Sequence, residues 1–202
     1  MNATAGTMFF PALTRRDAYS VKANGGFYAY SHYRAEIAED CQHRCVYCDA
    51  RADEVGGAEA MQLDHFRPES FPEFEHLIND PRNIHYACGR CNIWKSDWWP
   101  ARGSDGTHNG SEGFVDPFKD DRRAYFEVMP DGRIQPVRSP ATYLIRLLRL
   151  DREFMRKLRE LRILRFLWRQ RVAEIRRKAE AGELPHPEEL ARTCAAIEAL
   201  LE

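Results

Sequence analysis

The stretch ACGRCNIWKSD, residues 87–97, places two cysteines three positions apart and continues into a polar, helix-compatible run. Cys88 and Cys91 have the C-x-x-C spacing that presents two thiolates from one tight turn. A second pair with the same spacing, Cys45 and Cys48, lies 39 intervening residues earlier. Four such ligands close a tetrahedral site, so the spacing predicts a structural Zn²⁺ that joins two distant parts of the chain. A thioredoxin-like redox pair would account for one C-x-x-C, but not for two.

Between the two cysteine pairs lies LDHFRPES, residues 63–70, in which Asp64 and His65 are adjacent. In a strand, neighbouring side chains point to opposite faces, so these two are not expected to form an ion pair. They are better placed for two different tasks at one spot. Histidine is the side chain best suited to move a proton near neutral pH, and a carboxylate is a hard oxygen ligand for Mg²⁺.

In chain order the motifs read C-x-x-C, D-H-x-x-P and N-x-x-x-x-C-x-x-C-N-x-x-K. Together they resemble the HNH endonuclease family, also called ββα-metal or His-Me finger nucleases. The resemblance runs from Cys45 to Lys95, about a quarter of the chain. It implies an α+β fold in which a hairpin carrying Asp64 and His65 packs against a helix carrying Asn92. The two cysteine turns would clamp this arrangement together.

The resemblance also implies the chemistry, which is metal-dependent hydrolysis of phosphodiester bonds. His65 would be the general base, and Asp64 and Asn92 would hold a catalytic Mg²⁺ or Mn²⁺. Asn83 would tie down the loop opposite His65 and so orient the imidazole. The family often has histidine at the position of Asn92, and the asparagine variant favours hard metals that prefer oxygen ligands.

Three basic side chains near these motifs are candidates for contacts with DNA phosphates: Lys95, Arg67 and Arg90. A solvated surface position explains Lys95 nearly as well and the two arginines better. His85 lies three residues before Cys88, where a packed role is favoured over a metal ligand. The sequence leaves open whether Cys41 or His85 joins a metal site, whereas Cys194 is expected in the core.

Charge is distributed unevenly along a chain whose net charge is −1. Residues 141–178 contain 13 Lys or Arg against 4 Asp or Glu, whereas the flanking parts are acidic. Such a block suits a face that binds a polyanion. It also suits a long helix whose arginine stems cover apolar neighbours.

Composition favours a folded protein of the cytoplasm. The chain has 202 residues, of which 44% are apolar and 11% aromatic. No apolar run approaches the roughly 20 residues that span a bilayer, so no membrane contact is expected. The apolar cluster Met8–Phe10 is too short for a signal sequence, and a cytosolic location makes disulfides unfavourable.

The pattern along the chain divides it into four parts. Residues 1–30 are irregular, and residues 31–100 form the nuclease core with its zinc site. The core begins with a helix capped by Ser31 and ends with a short helix after Cys91 that Pro100 terminates. Residues 101–138 hold a polar loop and a β-hairpin turning at Asp131-Gly132.

Residues 139–202 are predicted to be helical, with a break at Gly182 and Pro185 and a last helix from about Pro187. Apolar residues in the longer helix follow a 3/4 spacing and are predicted to share one face. They are Phe154, Leu158, Leu161, Leu164, Trp168, Val172 and Ile175. A second apolar face suggests that the helix packs on two sides, and its residues are Met155, Ile163, Phe166 and Leu167.

Three functional hypotheses are compatible with these observations. The first is an HNH endonuclease acting on DNA, which nicks one strand per active site and would need a homodimer or two visits to cut both. The second is a non-catalytic zinc module that binds nucleic acid or protein, for which the set Asp64, His65, Asn83 and Asn92 has no use. The third is a nuclease effector subunit of an anti-phage system controlled by a partner. The preference for DNA over RNA comes only from the resemblance.

Overall fold

A computed structural model describes residues 8–103 and 106–201 of the chain. Within them the protein is mixed α and β, as expected at the level of fold class. The helices are α1 Arg34–Asp40, α2 Gly89–Lys95, α3 Ala141–Leu147, α4 Glu153–Glu180 and α5 Pro187–Leu201. The strands are β1 Met61–His65, β2 Ile84–Cys88, β3 Phe126–Val128 and β4 Ile134–Pro136, and short 3-10 helices connect several of them.

The first hairpin carries the motif residues. Strands β1 and β2 pair antiparallel, with Met61 opposite Cys88 and His65 opposite Ile84. Every residue of β2 is buried, and α2 begins directly at its end and packs on both strands. The element order is therefore β-β-α, with the 3-10 helices Pro72–Leu77 and Pro81–Asn83 inside the long hairpin connection.

Residues 8–29 of the N-terminal segment contain no α-helix and no strand and belong to the core, whereas residues 1–7 lie outside the described part of the chain. Phe9, Phe10 and Tyr19 are buried in the same hydrophobic cluster as the strands. The guanidinium of Arg15 donates hydrogen bonds to the carbonyls of Pro81, Arg82 and Ile84, each at 2.9 Å. The segment therefore holds the start of β2 in place.

Three helix ends differ from the sequence predictions. Ser31 does not cap α1, because residues Tyr30–Tyr33 form a 3-10 turn that runs into the helix without a side-chain cap. Helix α2 begins at Gly89, before Cys91, and so includes the second cysteine turn. It ends at Lys95 rather than at Pro100, because the backbone of Ser96 adopts a φ of 44° that no helix can continue.

The second hairpin turns at Gly132, as predicted, with a φ of 74° that favours glycine. Arg159 of α4 is buried beside this turn and donates to the carbonyl of Gly132 at 2.6 Å and to that of Leu150 at 2.9 Å. None of the helices in the described ranges has the length and apolar content needed to span a bilayer.

Of the two apolar faces predicted for α4, the second supplies the residues buried in its first half, Met155 and Ile163. The first face is mostly about half exposed, at Phe154, Leu161, Leu164 and Trp168. Arg159 and Arg162 lie on the same side as Met155 and Ile163, and their hydrogen bonds to the second hairpin and to Asp49 hold that side against the core. Helix α5 folds back over its second half, where Val172 and Cys194 are buried against each other.

Candidate metal centre and catalytic site

Four cysteine sulfurs meet at one buried point. The Sγ atoms of Cys45, Cys48, Cys88 and Cys91 all lie within 4.8 Å of one another, and the Cys48–Cys88 pair is 3.8 Å apart. Tetrahedral zinc with bonds of about 2.3 Å to sulfur separates its ligands by about 3.8 Å. The four residues therefore have the chemistry and the spacing to hold a metal ion such as zinc.

Local backbone structure shapes the first cysteine turn. The amide of Cys45 donates to the carbonyl of Ala50 at 2.8 Å, and the amide of Asp49 donates back to Cys45 at 2.9 Å. Asp49 completes the turn with a φ of 63°. The amide of Val46 donates to Tyr86 of β2 at 3.0 Å, so the turn is attached directly to the hairpin.

The second turn is the junction of β2 and α2, where Cys88 precedes the helix and Cys91 lies in its first turn. Hydrogen bonds from the other three sulfurs lower the pKa of Cys88, whereas burial raises the pKa of Cys45. Contact with the neighbouring sulfurs raises the pKa of Cys91 as well. Without a metal ion, such a cluster favours a single thiolate, because the pKa is lowered at one cysteine and raised at others. A bound cation is needed to stabilise the negative charge of four thiolates.

Cys41 and His85 do not belong to this group of ligands in the described part of the chain. Cys41 is buried at the end of α1, where burial raises the pKa of its thiol to about 11. His85 is fully enclosed, with its ring 4.5 Å from Phe66 and 5.4 Å from Phe118. Burial lowers the pKa of His85 well below its usual value, so it is a neutral packed residue.

His65 lies at the end of β1 with a defined orientation. Its Nε2 is 2.8 Å from the carbonyl oxygen of Ile78, and its ring meets the ring of Tyr30 edge-on at 4.8 Å. A carbonyl only accepts hydrogen bonds, so Nε2 carries a proton, and in the neutral ring Nδ1 is the nitrogen with the free lone pair. Nδ1 lies 3.7 Å from a carboxylate oxygen of Glu69. A general base needs a held imidazole with an unprotonated nitrogen, and this geometry supplies both.

Asn83 holds the loop that contacts His65. Its Oδ1 accepts from the amide of Arg67 at 2.9 Å, and its Nδ2 donates to the carbonyl of the same residue at 3.0 Å. The Nδ2 also approaches the carbonyl of Leu77 at 3.5 Å, next to Ile78. Asn83 and His65 thus approach neighbouring carbonyls of the same loop, those of Leu77 and Ile78. No sequence motif identifies either carbonyl.

Asp64 points to the opposite face of β1 and is almost fully buried. Its Oδ1 is 3.1 Å from Nζ of Lys95, and its Oδ2 accepts a hydrogen bond from the Tyr47 hydroxyl. Burial raises the pKa of Asp64, against the opposing effect of the Lys95 charge. Tyr47 lies between the first two cysteines, and only its place inside the C-x-x-C motif could have suggested a role.

The prediction that Lys95 contacts DNA is wrong, because its side chain is fully buried. Its ammonium donates to the carbonyl of His65 at 2.7 Å as well as to Asp64. The guanidinium of Arg67 stacks over the rings of Phe74 and Trp99 at 5.3 and 5.2 Å. Among the three basic candidates, only Arg90 has an exposed side chain.

The predicted magnesium ligands face the same interface between β1 and α2. Asn92 donates from Nδ2 to Oε1 of Gln62 at 2.7 Å, and Gln62 shares a face of β1 with Asp64. Asn92 and Lys95 are three positions apart on α2 and share a face as well. The donor chemistry suits a hard cation, but the ammonium of Lys95 already lies against Asp64.

No protein-family model matches this chain, and no curated protein matches its sequence. The functional reasoning therefore depends on the motifs and on the geometry just described. In that geometry His65, Asn83, Cys88 and Cys91 lie on the β-β-α unit, and the turn that carries Cys45 and Cys48 is attached to it through Val46.

Proposed function

We propose that the chain is an HNH-type endonuclease that hydrolyses phosphodiester bonds in DNA, with a structural Zn²⁺ in the four-cysteine centre. The observation that carries the proposal is the environment of His65. The imidazole is held at Nε2 by the Ile78 carbonyl and keeps Nδ1 available, at the end of a strand that the cysteine turns clamp. Asn83 ties the backbone of Arg67, two residues after His65, on both its N–H and its carbonyl.

In the proposed reaction, Nδ1 of His65 accepts a proton from the attacking water. The Ile78 carbonyl then stabilises the imidazolium through the N–H that it already contacts. Glu69, half exposed and 3.7 Å from Nδ1, adds a favourable charge once the ring is protonated. Asn83 contributes indirectly, because it bonds the backbone of Arg67, two residues after His65, and approaches the carbonyl of Leu77 next to Ile78.

A divalent Mg²⁺ or Mn²⁺ would supply positive charge for the pentavalent phosphate and the leaving oxygen. Asp64 and Asn92 are the proposed ligands, since they offer a carboxylate and an amide oxygen at one interface. Arg90, whose side chain is exposed at the start of α2, is the proposed phosphate contact. One such site cuts one strand, so the proposed product from a monomer is a nick.

The test is cleavage of a supercoiled plasmid by the zinc-loaded protein with Mg²⁺, Mn²⁺ or EDTA. We expect metal-dependent conversion to open circles by the parent protein and none by His65→Ala. The matched control is His76→Ala, which removes an exposed histidine from the same loop and should cleave like the parent. Cleavage by a folded His65→Ala variant would refute the assignment of the base.

The second candidate is a non-catalytic zinc module, which the completed Asp64–Lys95 ion pair favours. Such a module would bind nucleic acid without cutting it under any metal condition.

A nuclease controlled by a partner protein would also be inactive alone, but its activity would return with proteins copurified from the native cell. The half-exposed Leu161, Leu164 and Trp168 of α4 are the proposed docking residues in that case.

A further inference from the structure

The charge of Asp64 is already compensated inside the protein. Its carboxylate is 5% exposed, and the Lys95 side chain that faces it is fully buried. The ammonium lies 3.1 Å from Asp64 Oδ1 and 2.7 Å from the carbonyl oxygen of His65. The third neighbour is the ring of Phe114, whose centre is 5.7 Å away. A positive charge is thus bound by two oxygen atoms against an aromatic face, in a place with little access to water.

These two oxygen atoms are also what a hard cation seeks. Carboxylate and carbonyl oxygens are the preferred ligands of Mg²⁺ and Mn²⁺, and Asn92 adds an amide on the same side of α2. Mg²⁺ retains several of its waters when bound, and a fully buried lysine leaves no room for them at Oδ1. The ammonium and a divalent ion therefore cannot occupy this position together.

We propose that the ammonium of Lys95 is the resident cation of the Asp64 site, and that a divalent metal ion binds Asp64 only by displacing it. The inference deepens the proposed function, since it concerns the same catalytic metal. Lys95 keeps Asp64 compensated while no metal is bound, and it makes metal binding an exchange of cations. The affinity for the metal is then lowered by the two hydrogen bonds that the ammonium must give up.

Mn²⁺ binding to the zinc-loaded chain, followed by electron paramagnetic resonance or calorimetry, tests this directly. Lys95→Gln should raise the Mn²⁺ affinity about tenfold or more, because the competing charge and its hydrogen bonds are removed. The double variant Lys95→Gln with Asp64→Asn should lose the gain. Lys119→Gln is the matched control, since it removes an exposed lysine that also pairs with an aspartate and should leave Mn²⁺ affinity unchanged.

Unchanged, weaker or undetectable Mn²⁺ binding by Lys95→Gln would overturn the inference, as would a gain that survives in the double variant. If Lys95→Gln does not fold, the parent protein decides the question through the ¹⁵N signal of the Lys95 ammonium. The signal of a buried ammonium should disappear or shift as Mg²⁺ is added, and a signal that persists unchanged up to millimolar Mg²⁺ would count against displacement.

The same measurements separate this inference from the nuclease proposal, because none of them reads cleavage. A gain in Mn²⁺ affinity together with an intact plasmid would remove the nuclease and keep the exchange. Plasmid nicking that needs His65, together with unchanged Mn²⁺ affinity in Lys95→Gln, would keep the nuclease and remove the exchange.

Discussion

Replacing Arg162 should separate the long helix from the cysteine centre. Its guanidinium donates to Oδ2 and to the carbonyl of Asp49 at 2.9 and 2.7 Å, and to Oε1 of Glu54 at 2.7 Å. The side chains of Asp49 and Glu54 are only 2% and 9% exposed. Arg162→Met would leave both carboxylates buried, with Arg44 3.5 Å from Asp49 and Arg51 3.7 Å from Glu54 as the remaining ion-pair partners. Breaking a buried pair by removing one partner typically costs about 3–5 kcal/mol.

Urea unfolding of the zinc-saturated protein measures this cost. A loss of about 3–5 kcal/mol would be a large part of the 5–15 kcal/mol typical of whole domains, so the transition should move clearly to lower urea. The matched control is Arg165→Met, three positions further along α4 and exposed, which should stay within about 0.5 kcal/mol of the parent. A loss below about 1 kcal/mol for Arg162→Met would refute the idea that this arginine joins α4 to the core.

Three further perturbations have defined outcomes. Cys88→Ser should abolish stoichiometric zinc binding and unfold the β-β-α unit at ambient temperature, and a variant that melts like the parent would contradict the metal centre. Because burial lowers the pKa of His85, the unfolded state binds more protons below pH 6.5, and stability should fall there by up to about 1.4 kcal/mol per pH unit. His85→Phe should flatten that fall, as measured by melting temperature at pH 7.5 and 5, and an equal fall in both proteins would exclude His85 as its source. Gly132→Ala should cost more than about 2 kcal/mol in urea unfolding, since its Cβ would lie 2.1 Å from the Arg156 carbonyl, whereas Gly182→Ala, with open space, should cost clearly less.

Local signals accounted for the parts of the fold that the sequence predicted well. The two C-x-x-C motifs each specify a turn, and their sulfurs do converge. Asp131-Gly132 predicted the second hairpin because only a few residue types tolerate the positive φ that the turn requires. Gly182 likewise marked the boundary between α4 and α5. In each case the decisive information lies within a few residues of the feature.

The predictions that were wrong depended on contacts between distant residues. The spacing N-x-x-K gave no sign that Lys95 turns inward to Asp64, 31 positions earlier in the chain. The contact that orients His65 is made by the main-chain carbonyl of Ile78. Every residue has such a carbonyl, so the amino-acid type at this position does not predict the contact. Periodicity identified α4 as amphipathic, but it could not tell which apolar face meets the core. The buried face is the one that carries Arg159 and Arg162, whose hydrogen bonds to Gly132 and Asp49 attach it to the core.

These two arginines also change the meaning of the basic block. The excess of positive charge in residues 141–178 suggested a polyanion-binding face, yet Arg159 is buried at the second hairpin and Arg162 at the cysteine turn. Both guanidinium groups are bound to carbonyls or carboxylates of the protein itself, so they are not available for a salt-dependent contact with DNA. A test of DNA binding by α4 must therefore neutralise arginines such as Arg165 and Arg177, whose side chains are exposed. If every arginine of the block were neutralised, the protein would lose the contacts of Arg159 and Arg162 and unfold. Weaker DNA binding would then result from unfolding and not from the loss of a DNA contact.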